Sequence, residues 1–187
     1  ISQSCIISAR TMAAAKKRAV ELAAEAVCSG SGKRPCGLCR NCRKVMQGIH
    51  PDVITIGLPL DDKGKPKKEI QVDQIRAVVS DAYIMPNEAE RKVYIIENAD
   101  CMNIPAQNAA LKLLEEPPSQ TVFILVSEEP EKLLDTIRSR TQRFDFKRIA
   151  DADIEVALVE KRGLEHADAR SLARLDNGSW TNALAAL

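Results

Sequence analysis

The chain is poor in aromatic residues and carries almost no net charge. Phenylalanine, tyrosine and tryptophan make up 3% of its 187 residues, and 27 basic side chains against 26 acidic ones leave a net charge of +1. A base-stacking surface needs exposed aromatic rings, and a free-standing nucleic-acid-binding domain usually has a basic excess. The composition therefore argues against a protein that binds nucleic acid on its own.

Long hydrophobic runs are missing as well. Apolar runs such as residues 122–126 are far shorter than the ~20 residues that a membrane-spanning helix requires. The sequence also lacks the basic and then apolar stretch of a secretory signal. We therefore predict a cytoplasmic globular protein without a membrane partner. In a reducing compartment, disulfide bonds between its cysteines are not expected.

The hydrophobic pattern predicts alternating strands and helices over most of the chain. The strands are expected at residues 4–8, 53–56, 92–96, 121–126 and 143–146. The helices are expected at residues 12–27, 72–82, 103–115, 131–138, 151–161, 165–175 and 179–187. Strands that are apolar at nearly every position are typical of a parallel sheet that helices cover on both faces. We predict an α/β domain over residues 1–147 and the start of a helical domain over residues 148–187.

Four of the six cysteines are crowded into fifteen residues. They are Cys28, Cys36, Cys39 and Cys42. The two-residue spacers of the C-x2-C-x2-C motif let successive thiolates turn toward one point, and a fourth thiolate completes the closed tetrahedral shell that suits structural zinc. A redox centre or unpaired thiols are the alternatives, and an iron–sulfur cluster is disfavoured because its fourth cysteine is normally placed differently. We predict a zinc module over residues 28–42, inserted in the α/β domain.

A phosphate-binding loop is missing from the turn between the first strand and the first helix. Such a loop needs glycines, whose backbone N–H groups converge on phosphate, followed by a lysine and then a serine or threonine. This turn has no glycine, and Lys16 is followed by Lys17. The Cβ atoms of the run from Ala13 to Ala15 would also crowd the space that a phosphate requires. We therefore expect no tight binding of ATP.

Several motifs converge on one family. They are the cysteine cluster followed by residues 48–53 (GIHPDV), residues 92–100 (KVYIIENAD), residues 108–118 (NAALKLLEEPP), residues 123–127 (FILVS) and residues 137–144 (IRSRTQRF). Together they resemble the bacterial clamp-loader subunits of DNA polymerase III, which are AAA+ proteins, over essentially the whole chain. The resemblance implies an AAA+ (RecA-like) parallel sheet, a zinc-binding insertion and the first part of a helical lid, with a collar domain beyond Leu187.

Within that family the sequence most resembles delta-prime, because its nucleotide machinery is degraded. The family's glycine–lysine–threonine loop falls on a stretch that contains Ser8, Arg10, Ala14 and Ala15. The acidic pair that holds Mg²⁺ falls on Glu97 and Asn98, so that its second carboxylate is missing. The sensor-2 arginine falls on Thr181, and Ser127 lies near the sensor-1 position. The resemblance thus implies a subunit that does not bind ATP.

One catalytic element of the family remains. Ser139, Arg140 and Thr141 match its Ser-Arg-Cys motif, with threonine in place of the cysteine. In the family this arginine points across the subunit interface at ATP held by a neighbour, so the resemblance implies that Arg140 is an arginine finger acting in trans. A simple surface arginine is the alternative. Glu115 and Glu116 are expected to be solvated surface, because no histidine or metal site supports catalysis by them.

The resemblance implies a function within an assembly. The chain is expected to be a non-catalytic loader subunit that helps to load the sliding clamp on primed DNA in replication, with zinc as a structural cofactor. Its implied partners are the gamma/tau and delta subunits, the sliding clamp and, through the assembled complex, primed DNA.

Two other functions stay open. A gamma/tau-type ATPase would be distinguished by micromolar affinity for ATP. A zinc-containing DNA-binding module outside the loader would bind DNA tightly and in a salt-sensitive manner, because phosphate contacts make affinity fall with ionic strength. The net charge of +1 argues mildly against this second alternative.

Overall fold

The computed structural model describes residues 3–9, 11–146, 155, 156, 159 and 164–175. The chain divides into two compact units, Ile1–Phe146 and Lys147–Leu187. In the second unit the structure gives the bounds of one helix, His166–Leu175, at the position predicted for residues 165–175, and the described residues 155, 156 and 159 are helical as well. The helices predicted at residues 179–187, and most of residues 151–161, lie outside the described residues. Among the described helices, none combines the length and the apolar composition that crossing a bilayer demands.

Five parallel strands form a single sheet in the first unit. They are β1 (Ser4–Ala9), β2 (Val53–Ile56), β3 (Lys92–Ile96), β4 (Thr121–Ser127) and β5 (Gln142–Phe146). Their order across the sheet is β2-β3-β4-β1-β5, and each neighbouring pair is parallel. Strands β3 and β4 are buried at every position, as expected for strands that helices cover on both faces. The predicted α/β fold is confirmed, including the edge position of β5.

Helices lie on both faces of this sheet. They are α1 (Met12–Val27), α2 (Arg40–Met46), α3 (Val72–Ala82), α4 (Ile104–Glu115) and α5 (Asp135–Arg138), and the helix of the second unit is α6. Successive strand residues point to opposite faces. Ile7 accordingly packs with α1 and α2, whereas Ile6 packs with α3, α4 and α5. Tyr94 and Phe123, paired across β3 and β4, stack on the second face with ring centroids 5.1 Å apart.

Helix α1 can approach the sheet closely because its inner face is made of small residues. Ala15, Ala19 and Ala23 are fully buried in the core on that face. The helix begins after Thr11, whose Oγ1 accepts a hydrogen bond from the Ala14 N–H at 3.3 Å, which is the usual role of a threonine at this position. The bounds of α1 agree with those predicted from its periodicity.

The single helix predicted over residues 131–138 is wrong. The structure has a 3-10 turn at Pro130–Lys132 and then the short helix α5, separated by an extended backbone at Leu133 and Leu134. Leu133 is buried in the core, and the Leu134 N–H donates to Oε1 of Gln107 on α4 at 2.8 Å. The helix is interrupted here, because the N–H group of Leu134 donates to the side chain of Gln107 and not to a backbone carbonyl one turn earlier.

Candidate functional site

The four cysteines of the predicted zinc module converge on one point. Their Sγ atoms all lie within 4.8 Å of one another, and those of Cys36 and Cys42 are 4.0 Å apart. A tetrahedral site with Zn–S bonds of about 2.3 Å requires sulfur atoms about 3.8 Å apart. The cluster can therefore hold a metal ion, and its all-thiolate composition fits zinc.

The local backbone brings the four sulfurs together. Cys28 follows α1, and Cys39 precedes α2 and accepts a hydrogen bond from the Cys42 N–H at 3.4 Å. A Cβ on Gly30 would lie 2.9 Å from Cys36 Sγ, which is too close, so a glycine is needed where the backbone runs beside this sulfur. Helix α2 was not predicted, because the stretch just before it, residues 29–37, is rich in glycine, serine and proline.

Hydrogen bonds and burial act on the thiols in opposite directions. The N–H of Cys42 lowers the pKa of Cys39 to about 5, because it stabilises the thiolate. Burial raises the pKa of Cys42 to about 12. Four thiolates in so small a volume repel one another, and a divalent cation would remove that repulsion. An ion bound by all four thiolates would have no position left for a substrate, which fits a structural site.

The cysteine segment is attached to the α/β domain by specific contacts. Asn41 Nδ2 donates to the Val27 carbonyl at 2.8 Å, and Cys42 and Val45 are buried in the core between α2 and the sheet. Lys44 Nζ lies 2.5 Å from a carboxylate oxygen of Glu88, and both side chains are partly buried. The cysteine cluster is therefore continuous with the core of the α/β domain.

A buried carboxylate next to this attachment escaped the sequence analysis. Asp52 is fully buried just before β2 and accepts hydrogen bonds from the backbone N–H groups of Asn87, Glu88 and Ala89, at 2.5, 2.7 and 2.8 Å. Burial by itself would raise the pKa of Asp52, but these hydrogen bonds outweigh it and hold the pKa below the ordinary value. The position of this acidic residue directly before an apolar strand is the feature of the sequence that could have indicated a buried carboxylate.

The second site of interest is the carboxyl edge of the sheet, where the family's phosphate loop would lie. Of the residues assigned to it, Ser8 is half-buried near the end of β1, Ala14 is exposed and Ala15 is buried, and Arg10 lies outside the described residues. The first four backbone N–H groups of a helix have no acceptor within the helix, and the N–H of Met12 is one of them in α1. It donates to Glu128 Oε1 at 2.5 Å.

A lysine and a glutamate meet at the same edge. Lys16 Nζ lies 2.6 Å from Oε2 of Glu97, which follows β3. Glu97 is the residue expected at the first position of the family's acidic pair, and Asn98 beside it has a left-handed backbone (φ 53°). Ser127, at the end of β4, is fully buried, and its hydroxyl has no hydrogen-bond partner among the described residues. Thr181 lies outside the part of the chain that the structure describes.

Arg140 follows α5 and is partly exposed. Its Nε lies 2.5 Å from Glu115 Oε1, and its Nη1 donates to the Thr136 carbonyl at 2.9 Å. Thr141, which replaces the family's cysteine, is buried, and its hydroxyl donates to the Ile137 carbonyl. Glu115 is exposed, as expected for solvated surface, and its carboxylate also contacts this guanidinium.

The neighbouring arginines differ from Arg140 in their surroundings. Arg138 forms ion pairs with Glu131 and Asp135, and Arg143 forms ion pairs with Glu131 and Asp145. Each of these two guanidinium groups is shared between two carboxylates. Arg140 has one carboxylate partner among the described residues.

Comparisons with known proteins agree on one kind of relative. The family described as "DNA polymerase III, delta subunit" matches residues 1–150. The chain is 36% identical over 159 residues to DNA polymerase III subunit delta-prime of Bacillus subtilis, which covers 85% of this chain and 46% of that protein. It is 35% identical over 158 residues to subunit tau of the same organism, and this match covers 82% of this chain and 27% of that protein. The chain thus spans less than half the length of these two relatives.

A solved structure supports the fold. A DNA polymerase III gamma subunit-related protein of Thermotoga maritima superimposes with a TM-score of 0.56 at 22% identity, over 92% of this chain and 53% of that one. At this level of identity the likeness concerns the fold alone. It agrees with the five-stranded parallel sheet and its covering helices.

Proposed function

Since the chain belongs to the clamp-loader family of DNA polymerase III and is most like its delta-prime members, we propose that it helps to load the sliding clamp on primed DNA during replication. In this proposal it does not hydrolyse ATP itself. It assembles with the gamma/tau and delta subunits in the bacterial cytoplasm, and Arg140 acts on ATP that a neighbouring subunit holds.

The observation that carries the non-catalytic role is that the chain's own side chains occupy the nucleotide edge. In a phosphate loop, the first N–H groups of the helix bind phosphate. Here the Met12 N–H binds the carboxylate of Glu128. The acidic residue that would hold Mg²⁺ is Glu97, and it binds the ammonium group of Lys16. The carboxylate of Glu128 thus takes the place of a phosphate, and the ammonium group of Lys16 takes the place of the metal ion.

The four-cysteine cluster has a structural role in this proposal. Cys28, Cys36, Cys39 and Cys42 would hold zinc, and the ion would supply folding energy and neutralise the thiolates. The contacts of Asn41 and Lys44 link the module to α1 and to the segment before β3. No step of ATP hydrolysis involves this centre.

The test of the trans-acting role is Arg140→Ala in a loader reconstituted with the full-length chain. We expect a lower DNA-stimulated ATPase rate with normal assembly, because a guanidinium no longer stabilises the charge that develops on the transferred phosphoryl group. Arg143→Ala is the matched control, since Arg143 is already paired with two carboxylates. An unchanged rate in the assembled Arg140→Ala loader would contradict the proposal.

A gamma/tau-type ATPase is the second candidate, because the chain is 35% identical to a tau subunit. That function requires the carboxyl edge to release Glu128 and Lys16 from their partners and to accept a triphosphate and Mg²⁺ instead. The affinity of the chain for ATP separates the two candidates.

A further inference from the structure

The acidic pair that ends α4 is divided between two very different surroundings. Glu115 is the last residue of the helix, and its carboxylate contacts Arg140. Glu116 has left the helical backbone conformation and is exposed, and its carboxylate has no hydrogen-bond or ion-pair partner among the described residues. Pro117 follows and prevents the helix from continuing. The end of the helix therefore fixes which of the two carboxylates reaches the arginine.

Two elements hold the guanidinium of Arg140 from different sides. Glu115 on α4 binds Nε at 2.5 Å, and the Thr136 carbonyl of α5 accepts from Nη1 at 2.9 Å. The two N–H groups of Nη2 have no partner among the described residues. Because the guanidinium is planar, fixing Nε and Nη1 also fixes the direction in which the Nη2 donors point.

We propose that Glu115 is a positioning residue for Arg140. It holds the guanidinium at Nε and leaves the outer N–H group of Nη2 to bind a phosphate oxygen of ATP on the neighbouring subunit. This inference rests on the proposed function of Arg140. An unrestrained arginine would have to lose its rotamer freedom each time it meets the phosphate, and a carboxylate that restrains it beforehand removes that cost from the catalytic step.

The same contact could in principle serve a second role, in which Glu115 inhibits Arg140. A carboxylate that sequestered Arg140 would inhibit the neighbour, and its removal would then raise the ATPase rate. The geometry favours positioning, because the carboxylate approaches Nε and neither N–H group of Nη2 has a hydrogen-bond partner among the described residues. The sign of the change in rate therefore separates the two roles.

The experiment compares Glu115→Gln with Glu116→Gln in the reconstituted loader under single-turnover conditions. We expect Glu115→Gln to lower the rate of ATP hydrolysis at the site that receives Arg140 by roughly tenfold to a hundredfold. The KM for ATP should stay the same, because Arg140 acts on the transition state and not on the binding of the nucleotide. Glu116→Gln should behave like the wild type. Glu115→Ala provides a second variant, in which no amide can bind Nε.

A double variant separates this inference from the proposed function. If Glu115 acts through Arg140, then Glu115→Gln combined with Arg140→Ala should be no slower than Arg140→Ala alone. If Arg140→Ala itself has no effect, the proposed function fails. If Arg140→Ala slows hydrolysis but Glu115→Gln and Glu115→Ala match Glu116→Gln, or increase the rate, the positioning role is overturned while the arginine finger stands.

Discussion

Replacing Asp52 with asparagine should strongly destabilise the α/β domain. The carboxylate of Asp52 is fully buried, and its two oxygens accept hydrogen bonds from three backbone N–H groups and from Asn87 Nδ2. An asparagine has the same shape but only one acceptor oxygen. Whichever way its amide turns, at least one of these partly buried N–H groups then faces an NH₂ group and loses its acceptor.

The expected size of the effect follows from these contacts. A hydrogen bond to a charged group contributes about 1.5 to 3 kcal/mol, and an unsatisfied buried donor costs about 1 to 3 kcal/mol. The loss of one such bond and the weakening of the others should lower the free energy of unfolding by about 2 to 5 kcal/mol, out of a total of about 5 to 15 kcal/mol for a domain.

The effect should depend on pH in a defined direction. The pKa of Asp52 in the folded protein lies below its ordinary value of 3.8. A carboxyl group with a depressed pKa contributes stability that is complete above the unfolded pKa and is lost as the pH falls through the folded pKa. The difference between wild type and Asp52→Asn should therefore be largest near neutral pH and should shrink below about pH 4.

Urea unfolding, followed by circular dichroism at a series of pH values, measures this difference. Asp62→Asn is the matched control, because Asp62 is exposed in a loop and its carboxylate has no hydrogen-bond or ion-pair partner among the described residues. The control should unfold like the wild type. A difference for Asp52→Asn below about 0.5 kcal/mol at neutral pH, or one that stays constant into acid, would refute the reasoning.

Two further predictions concern the metal centre and the nucleotide edge. Removal of the metal by a chelator should abolish amide hydrogen-exchange protection in residues 28–46 and leave that of β3 and β4 intact, because the sheet has its own core; loss of protection throughout the sheet would contradict this. In a calorimetric titration the chain should show no saturable binding of ATP with Mg²⁺ up to about 1 mM, whereas micromolar affinity would favour the gamma/tau-type ATPase.

The parts of the fold that the sequence predicts best are those with a strong local pattern. Strands β3 and β4 are apolar at almost every position, and burial on both faces is the reason. The bounds of α1 follow from the alanine periodicity and from Thr11 at its start. The cysteine spacing by itself predicted that the four sulfurs converge, because two-residue spacers restrict where successive sulfurs can point.

The features that could not be predicted depend on contacts between distant residues. Helix α5 is short because Leu134 donates to Gln107, a side chain 27 positions away. Lys92 is a charged residue inside a buried strand, and it is tolerated because its ammonium group lies 3.2 Å from Asp81. The contact between Glu115 and Arg140 likewise joins two elements whose local patterns do not indicate that they meet.

The contact pairs at the carboxyl edge of the sheet have one more consequence. A protein that binds and hydrolyses ATP changes its charge at every turnover, and loops near the γ-phosphate can rearrange accordingly. Lys16, Glu97 and Glu128 are covalently part of the chain and cannot dissociate as a nucleotide does. In a ring that contains such a subunit, the charge at this edge would stay the same while the charge at the ATP sites of the other subunits changes.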